Sequence, residues 1–123
     1  MIYNMKLNPE PFNMIKLEQK TIELRLNDEK RKNIRVGDVI EFTNSEKLDK
    51  KILTKVINVY RFNTFDELYK KLPLDKCGYL KENINTASSS DMEKYYSVEE
   101  QSKYGVLGIE LKVLTNKTEE VKK

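Results

Sequence analysis

The chain has 123 residues, enough for one domain with a sizeable core and too few for two. It has no histidine and one cysteine, so an intrachain disulfide is excluded, a transition-metal site is not expected, and neither is a histidine acid–base device. Lys and Arg number 23 against 20 Asp and Glu, a net charge of +3; residues 20–35 carry six positive and three negative side chains, and the remainder balances.

The first element in chain order is a weakly alternating strand over residues 2–7, "IYNMKL". Asn8 followed by Pro9 signals a helix start, with the helix running to about Leu17 and Phe12 and Ile15 on its inner face. Residues 21–26, "TIELRL", alternate again. Ile22, Leu24 and Leu26 are the expected inner set, which leaves Thr21, Glu23 and Arg25 outward with Lys20 at the mouth. "NDEKRKN" reads as a polar connection and "VGD" at 36–38 as a turn, with Asp38 capping backbone N–H groups. "VIEFTN" at 39–44 follows, with Ile40 and Phe42 on one side. Residues 44–50 form a polar hairpin loop, and 51–62, "KILTKVINVYRF", are the longest strand, with Val56, Tyr60 and Phe62 on one parity.

Thr64 and Glu67 make a capping box for the helix "FDELYKKL", ended by Pro73. Residues 72–89 have no clean period. Ser90 with Glu93 and Ser97 with Glu100 are two further capping boxes, predicting short helices near 91–95 and 98–103. "YGVLGIELKVL" reads as the last strand, with Leu107, Ile109, Leu111 and Val113 on one face. The expected organisation is one domain over 1–114 and a charged tail over 115–123.

The order strand, helix, three strands, short helices, strand does not suit a doubly wound sheet or a sandwich. It suits an α+β fold, a small, mostly antiparallel β-barrel with peripheral short helices, closed so as to remove its edges. The N-terminal stretch lacks the apolar run of a signal peptide, and no stretch approaches the ~20 apolar residues of a membrane helix. The expected setting is cytoplasmic, with no membrane partner; the sequence sets no oligomeric state.

Glu23 and Arg25 share a strand face about 7 Å apart, so they are either a solvated surface pair or the wall of a polar pocket. Lys20 is either a surface lysine or a donor to a phosphate or carbonyl. Arg31, with Lys32, is a candidate for phosphate contact, against plain solvation. Tyr79, Tyr95, Tyr96 and Tyr104 offer stacking faces for bases, against ordinary core packing. Thr21 adds a hydroxyl but lacks a histidine base. Cys77 reads as a packed thiol, since no basic group is clearly placed to activate it.

"PFNMIKLEQKTIELRL", "VGDVIEF" and "YGVLGIELKVL" together resemble the ASCH domain, a branch of the PUA-like superfamily, over nearly the whole chain; "DMEKYYSVEEQSKYGVLGIE" resembles a bacterial subgroup of it. The resemblance implies a PUA-like barrel with a cleft beside the first helix and the K-x-x-E-x-R strand. It implies a partner that is RNA or a nucleotide or modified-nucleoside ligand; no cofactor is expected. One branch hydrolyses acylated cytidines with a threonine nucleophile, a lysine and a glutamate. The lysine carries over to Lys20, but the threonine position is Glu23. Three functions stay open: a binding module using Lys20, Thr21, Glu23, Arg25, Arg31, Tyr79, Tyr96 and Tyr104; a hydrolase, an amidohydrolase or ribonuclease, with Lys20 and Glu23 as its catalytic groups; or a protein-interaction domain with a vestigial pocket. The family also commonly has glycine at a helix-ending position two residues before the lysine, where this chain has Glu18.

Overall fold

A computed structural model describes residues 1–116. Five strands, β1 (Ile2–Leu7), β2 (Ile22–Leu26), β3 (Val39–Asn44), β4 (Lys51–Phe62) and β5 (Val106–Asn116), form one sheet in the order β1-β3-β4-β5-β2. The β1–β3 pair is parallel and the other three pairs are antiparallel. The result is a mixed, curled half-barrel with short helices around it. Its ends, β1 and β2, are not joined by ladder bonds, so the expected closure of the ring is not made by strand pairing. Strand β5 runs to Asn116, past the expected domain end at 114; the rest of the expected tail, 117–123, lies outside the described residues.

Helix α1 (Pro9–Lys16) opens with proline at its first position, where a missing N–H costs nothing. It buries Phe12 and Ile15, each 1% exposed, into the half-barrel with Met5, Ile40, Phe42, Ile52 and Ile109. A second apolar cluster lies on the opposite side of the sheet, where Phe65 and Leu68 of α2 (Phe65–Lys71) and Met92 cover Ile22, Leu24, Leu26 and Val106. Thr64 caps α2, its Oγ1 accepting from the Glu67 N–H at 3.1 Å. Three 3-10 turns follow, over Leu74–Lys76, Lys81–Thr86 and Ser89–Lys94, and then α3 (Val98–Tyr104). The Ser97–Glu100 capping box is present at the start of α3.

Three local expectations are corrected. The box expected on Ser90 and Glu93 belongs to Ser88 and Asp91, which start the turn at Ser89–Lys94 two residues earlier; a sequence with three consecutive serines offers several overlapping frames. The parity assigned to Val56, Tyr60 and Phe62 is broken by a bulge between Val56 and Asn58. The extra residue, Ile57, is 43% exposed; beyond it Val59 joins the cluster around Val56, and Phe62 packs on the other side. The third correction concerns β2. Glu23 pairs across the ladder with Ile109, and Arg25 with Leu107, both residues of the half-barrel interior. Directly opposed residues share a face, so Glu23 and Arg25 point inward, while Ile22, Leu24 and Leu26 pack on the outer helical layer.

Candidate functional site

The end of α1 sets the position of Lys20. Gln19 donates its N–H to the Met14 carbonyl at 2.8 Å, and Glu18 donates to Ile15 at 3.0 Å. This is the paired bonding of a Schellman motif, and Glu18 takes its left-handed position, with φ of 60°. A glutamate thus adopts the conformation that glycine usually supplies, and the helix ends as it would with glycine. The Lys20 N–H also bonds to Met14, at 3.1 Å. The chain then enters β2 through Thr21, whose N–H goes to the Lys76 carbonyl at 2.9 Å.

From there three charged side chains converge. The Lys20 ammonium lies 2.9 Å from Glu23 Oε1, and Arg25 Nε donates to Glu23 Oε2 at 2.6 Å. The Lys20 and Arg25 side chains are each 13% exposed and that of Glu23 is 4% exposed. Burial pushes the Glu23 carboxyl upward, but Lys20 and Arg25 together outweigh it and hold it below the usual carboxylate value. Burial also works against the Arg25 charge, and Glu23, with Tyr96, more than restores it. Arg25 Nη2 reaches across to the Lys6 carbonyl on β1 at 3.0 Å, joining the two edges that no ladder joins.

These groups line a cavity of about 480 Å³ at the open seam of the half-barrel. Lys6 and Leu7 of β1 and Met14 of α1 form one side; Lys20, Glu23 and Arg25 form the base. The far wall comes from α2 and the 3-10 turns: Tyr69, Cys77, Gly78, Tyr79, Asp91, Met92, Tyr95 and Tyr96. A hydrogen-bond chain holds that wall. Tyr69 Oη and Tyr79 Oη are 2.7 Å apart, and Tyr79 donates to Asp91 Oδ2 at 2.7 Å. The same oxygen accepts from the Ser88 N–H at 3.2 Å, so one carboxylate both caps the turn and receives the phenol. Burial, and then the bonds to Tyr69 and Asp91, push the Tyr79 hydroxyl well above the ordinary tyrosine range. Tyr96 stacks on Phe65 with ring centroids 6.3 Å apart, which holds its ring in place.

Of the residues singled out in the sequence, the cavity brings together Lys20, Glu23, Arg25, Tyr79, Tyr95 and Tyr96. It does not include Thr21, Arg31 or Tyr104. Thr21 precedes the strand, its N–H bonded to the Lys76 carbonyl and its carbonyl to the Leu111 N–H. Arg31 pairs with Asp28 at 3.4 Å and reaches the Tyr96 hydroxyl at 3.5 Å, behind the cavity wall. Tyr104 lines a separate concavity with Arg61 and Asn27. Tyr69 and Asp91, absent from the sequence-based set, complete the wall. Their signal in the sequence is slight: a tyrosine inside a helix, and a turn aspartate three residues after Ser88. Cys77 is 5% exposed and its thiol is pushed up to about 12, by burial above all. No helix among the described residues is long and apolar enough to cross a membrane.

The chain resembles known proteins in sequence and in fold. The family model of the ASCH domain matches residues 5–115. The solved structure of protein PF0455 from Pyrococcus furiosus is 33% identical, with TM-score 0.68, covering 93% of this chain and 98% of that one; hypothetical protein PH0355 is 30% identical, with TM-score 0.74, covering 93% and 100%. The S128A mutant of the ASCH protein from Zymomonas mobilis shares the fold at TM-score 0.65 and 11% identity, covering 94% of this chain and 70% of that one. No curated protein matches the chain.

Proposed function

Because this chain belongs to the ASCH domain family, a family generally thought to bind RNA, we propose that its seam cavity binds single-stranded RNA or a nucleotide-type ligand. The observation that carries this reading is the joint lining of one 480 Å³ cavity by Lys20, Glu23 and Arg25 on one side and Tyr79 and Tyr96 on the other. Cavities of this size suit a small-molecule ligand or one unit of a polymer. A base has two faces for an aromatic ring and an edge for charged donors and acceptors, which is the chemistry this lining offers. A cytoplasmic setting suits the lone, unpaired Cys77. The test is titration of short single-stranded RNAs and mononucleotides into the protein at low salt. Binding should weaken as salt rises and weaken further in Arg25→Gln; no binding at low salt would sink the reading.

A hydrolytic role rests on one observation, the Lys20–Glu23 contact at 2.9 Å beside the cavity. Against it, a carboxyl held below its usual value by two cations is a weak general base. Turnover of acylated nucleosides or RNA that is lost in Lys20→Ala would overturn this preference for binding.

A further inference from the structure

The three charged groups at the cavity base do not balance, and resting on the nucleotide reading above, we infer that the ligand places an anionic group, a phosphate monoester, between Lys20 and Arg25. Two cations meet one carboxylate there, and all three side chains are largely out of water. The carboxylate is also the deepest of the three: Glu23 is 3% exposed and its Oε1 presents essentially no surface, with Lys20 beside it. Glu23 lines the cavity too, but the ammonium and the guanidinium are exposed to it more than the carboxylate is.

The rim does not supply the missing negative charge. Lys6 and Lys94 stand there against Glu10 and Asp91, two of each sign, and Asp91 is engaged by Tyr79 and Ser88. A surplus positive charge held away from bulk water is costly unless a counter-charge joins it. Donors for one remain. Lys20 has three N–H groups and, among the described residues, makes an ion pair with Glu23 alone. Arg25 has five and directs Nε to Glu23 and Nη2 to the Lys6 carbonyl, which leaves part of its fork for an oxyanion. Gly78 gives room to the Lys20 stem: a Cβ there would stand 3.3 Å from Lys20 Cδ.

A phosphate monoester can come from a free mononucleotide or from the phosphorylated end of an RNA strand, and one calorimetric series separates them. The full chain is titrated with the four nucleosides, their 5′- and 3′-monophosphates, and one short RNA with and without a terminal phosphate. Monophosphates should bind at least about tenfold more tightly than the nucleosides, and Lys20→Gln should erase most of that ratio while the melting temperature confirms its fold. In the native chain, inorganic phosphate should compete with the monophosphate, a readout that survives if Lys20→Gln does not fold. Preference for the phosphorylated RNA over its hydroxyl form assigns the site to a strand end; mononucleotides binding more tightly than either RNA assign it to a free nucleotide. Nucleosides binding as tightly as monophosphates would overturn the inference and leave the binding function intact, and so would RNA binding that ignores both terminal phosphate and monophosphates. Failure of every RNA and nucleotide to bind would overturn the function itself.

Discussion

Arg25 on β2 donates from Nη2 to the main-chain carbonyl of Lys6 on β1 at 3.0 Å, across the one place where the sheet is not laced by strand pairing. The same guanidinium holds Glu23 through Nε. Removing it takes away the bridge and leaves a buried carboxylate with one cation. Arg25→Ala should therefore cost about 3 kcal/mol, the scale for breaking a largely buried pair from one side. Arg25→Lys should recover only part, since an ammonium lacks the planar fork that reaches both partners. Urea unfolding of the three proteins measures both.

Glu23 makes stability depend on pH in one direction. Its carboxyl is held below the ordinary value of 4.5 in the folded state, so the unfolded chain takes up the proton first as pH falls. The stabilisation is fully present above the unfolded value and is lost as pH drops through the folded one. The native protein should lose stability relative to Glu23→Gln as pH is lowered below about 4.5, with a constant difference between the two above pH 6. Unfolding midpoints from pH 7 to 3 test this; a gap that widens in favour of the native protein on acidification would contradict it.

Glu18 holds a φ of 60° that a side chain adopts at a cost. Glu18→Gly should stabilise the protein by about 1 kcal/mol, because glycine meets no Cβ penalty there. Glu18→Ala, which keeps the Cβ, should give no such gain. Thermal melts of the pair distinguish relief of backbone strain from simple removal of a surface charge.

Cys77 should be inert in the folded protein. With its thiol pushed up to about 12 and 5% of the residue exposed, little thiolate exists near neutrality. Reaction with a disulfide reagent at pH 8 should be at least about a hundredfold slower than in urea, where the thiol returns to its ordinary range of about 8.5. Equal rates would show that the cavity wall opens readily.

What the sequence made legible follows from how local each signal is. Strands β1 and β3, the bounds of β4 and the capping box at Ser97 are written in neighbouring residues, and the structure places them as read; at Thr64 the cap is made, but Glu67 reaches back to the Asn63 N–H and does not complete the box. The convergence of Lys20, Glu23 and Arg25 was also readable, because all three lie within six residues. Which way β2 faces was not. Its apolar set packs outward because α2 and the turn at Ser89–Lys94, more than 30 residues later, provide a second apolar layer. The bulge at Ile57 likewise leaves no mark in a run of β-formers. Tyr69, Tyr79 and Asp91 meet through a segment with no apolar period, so nothing short-range announces that they form one wall.

The gap between β1 and β2 has a mechanical corollary. A fully laced barrel can admit a guest only by tearing a row of main-chain bonds, whereas among the described residues the hydrogen bond that clasps the two lips of this opening is made by one long side chain, beside the packing of α1. Loosening that single clasp would let the mouth gape while every ladder elsewhere stays zipped, so entry to the chamber is energetically separate from unravelling of the molecule.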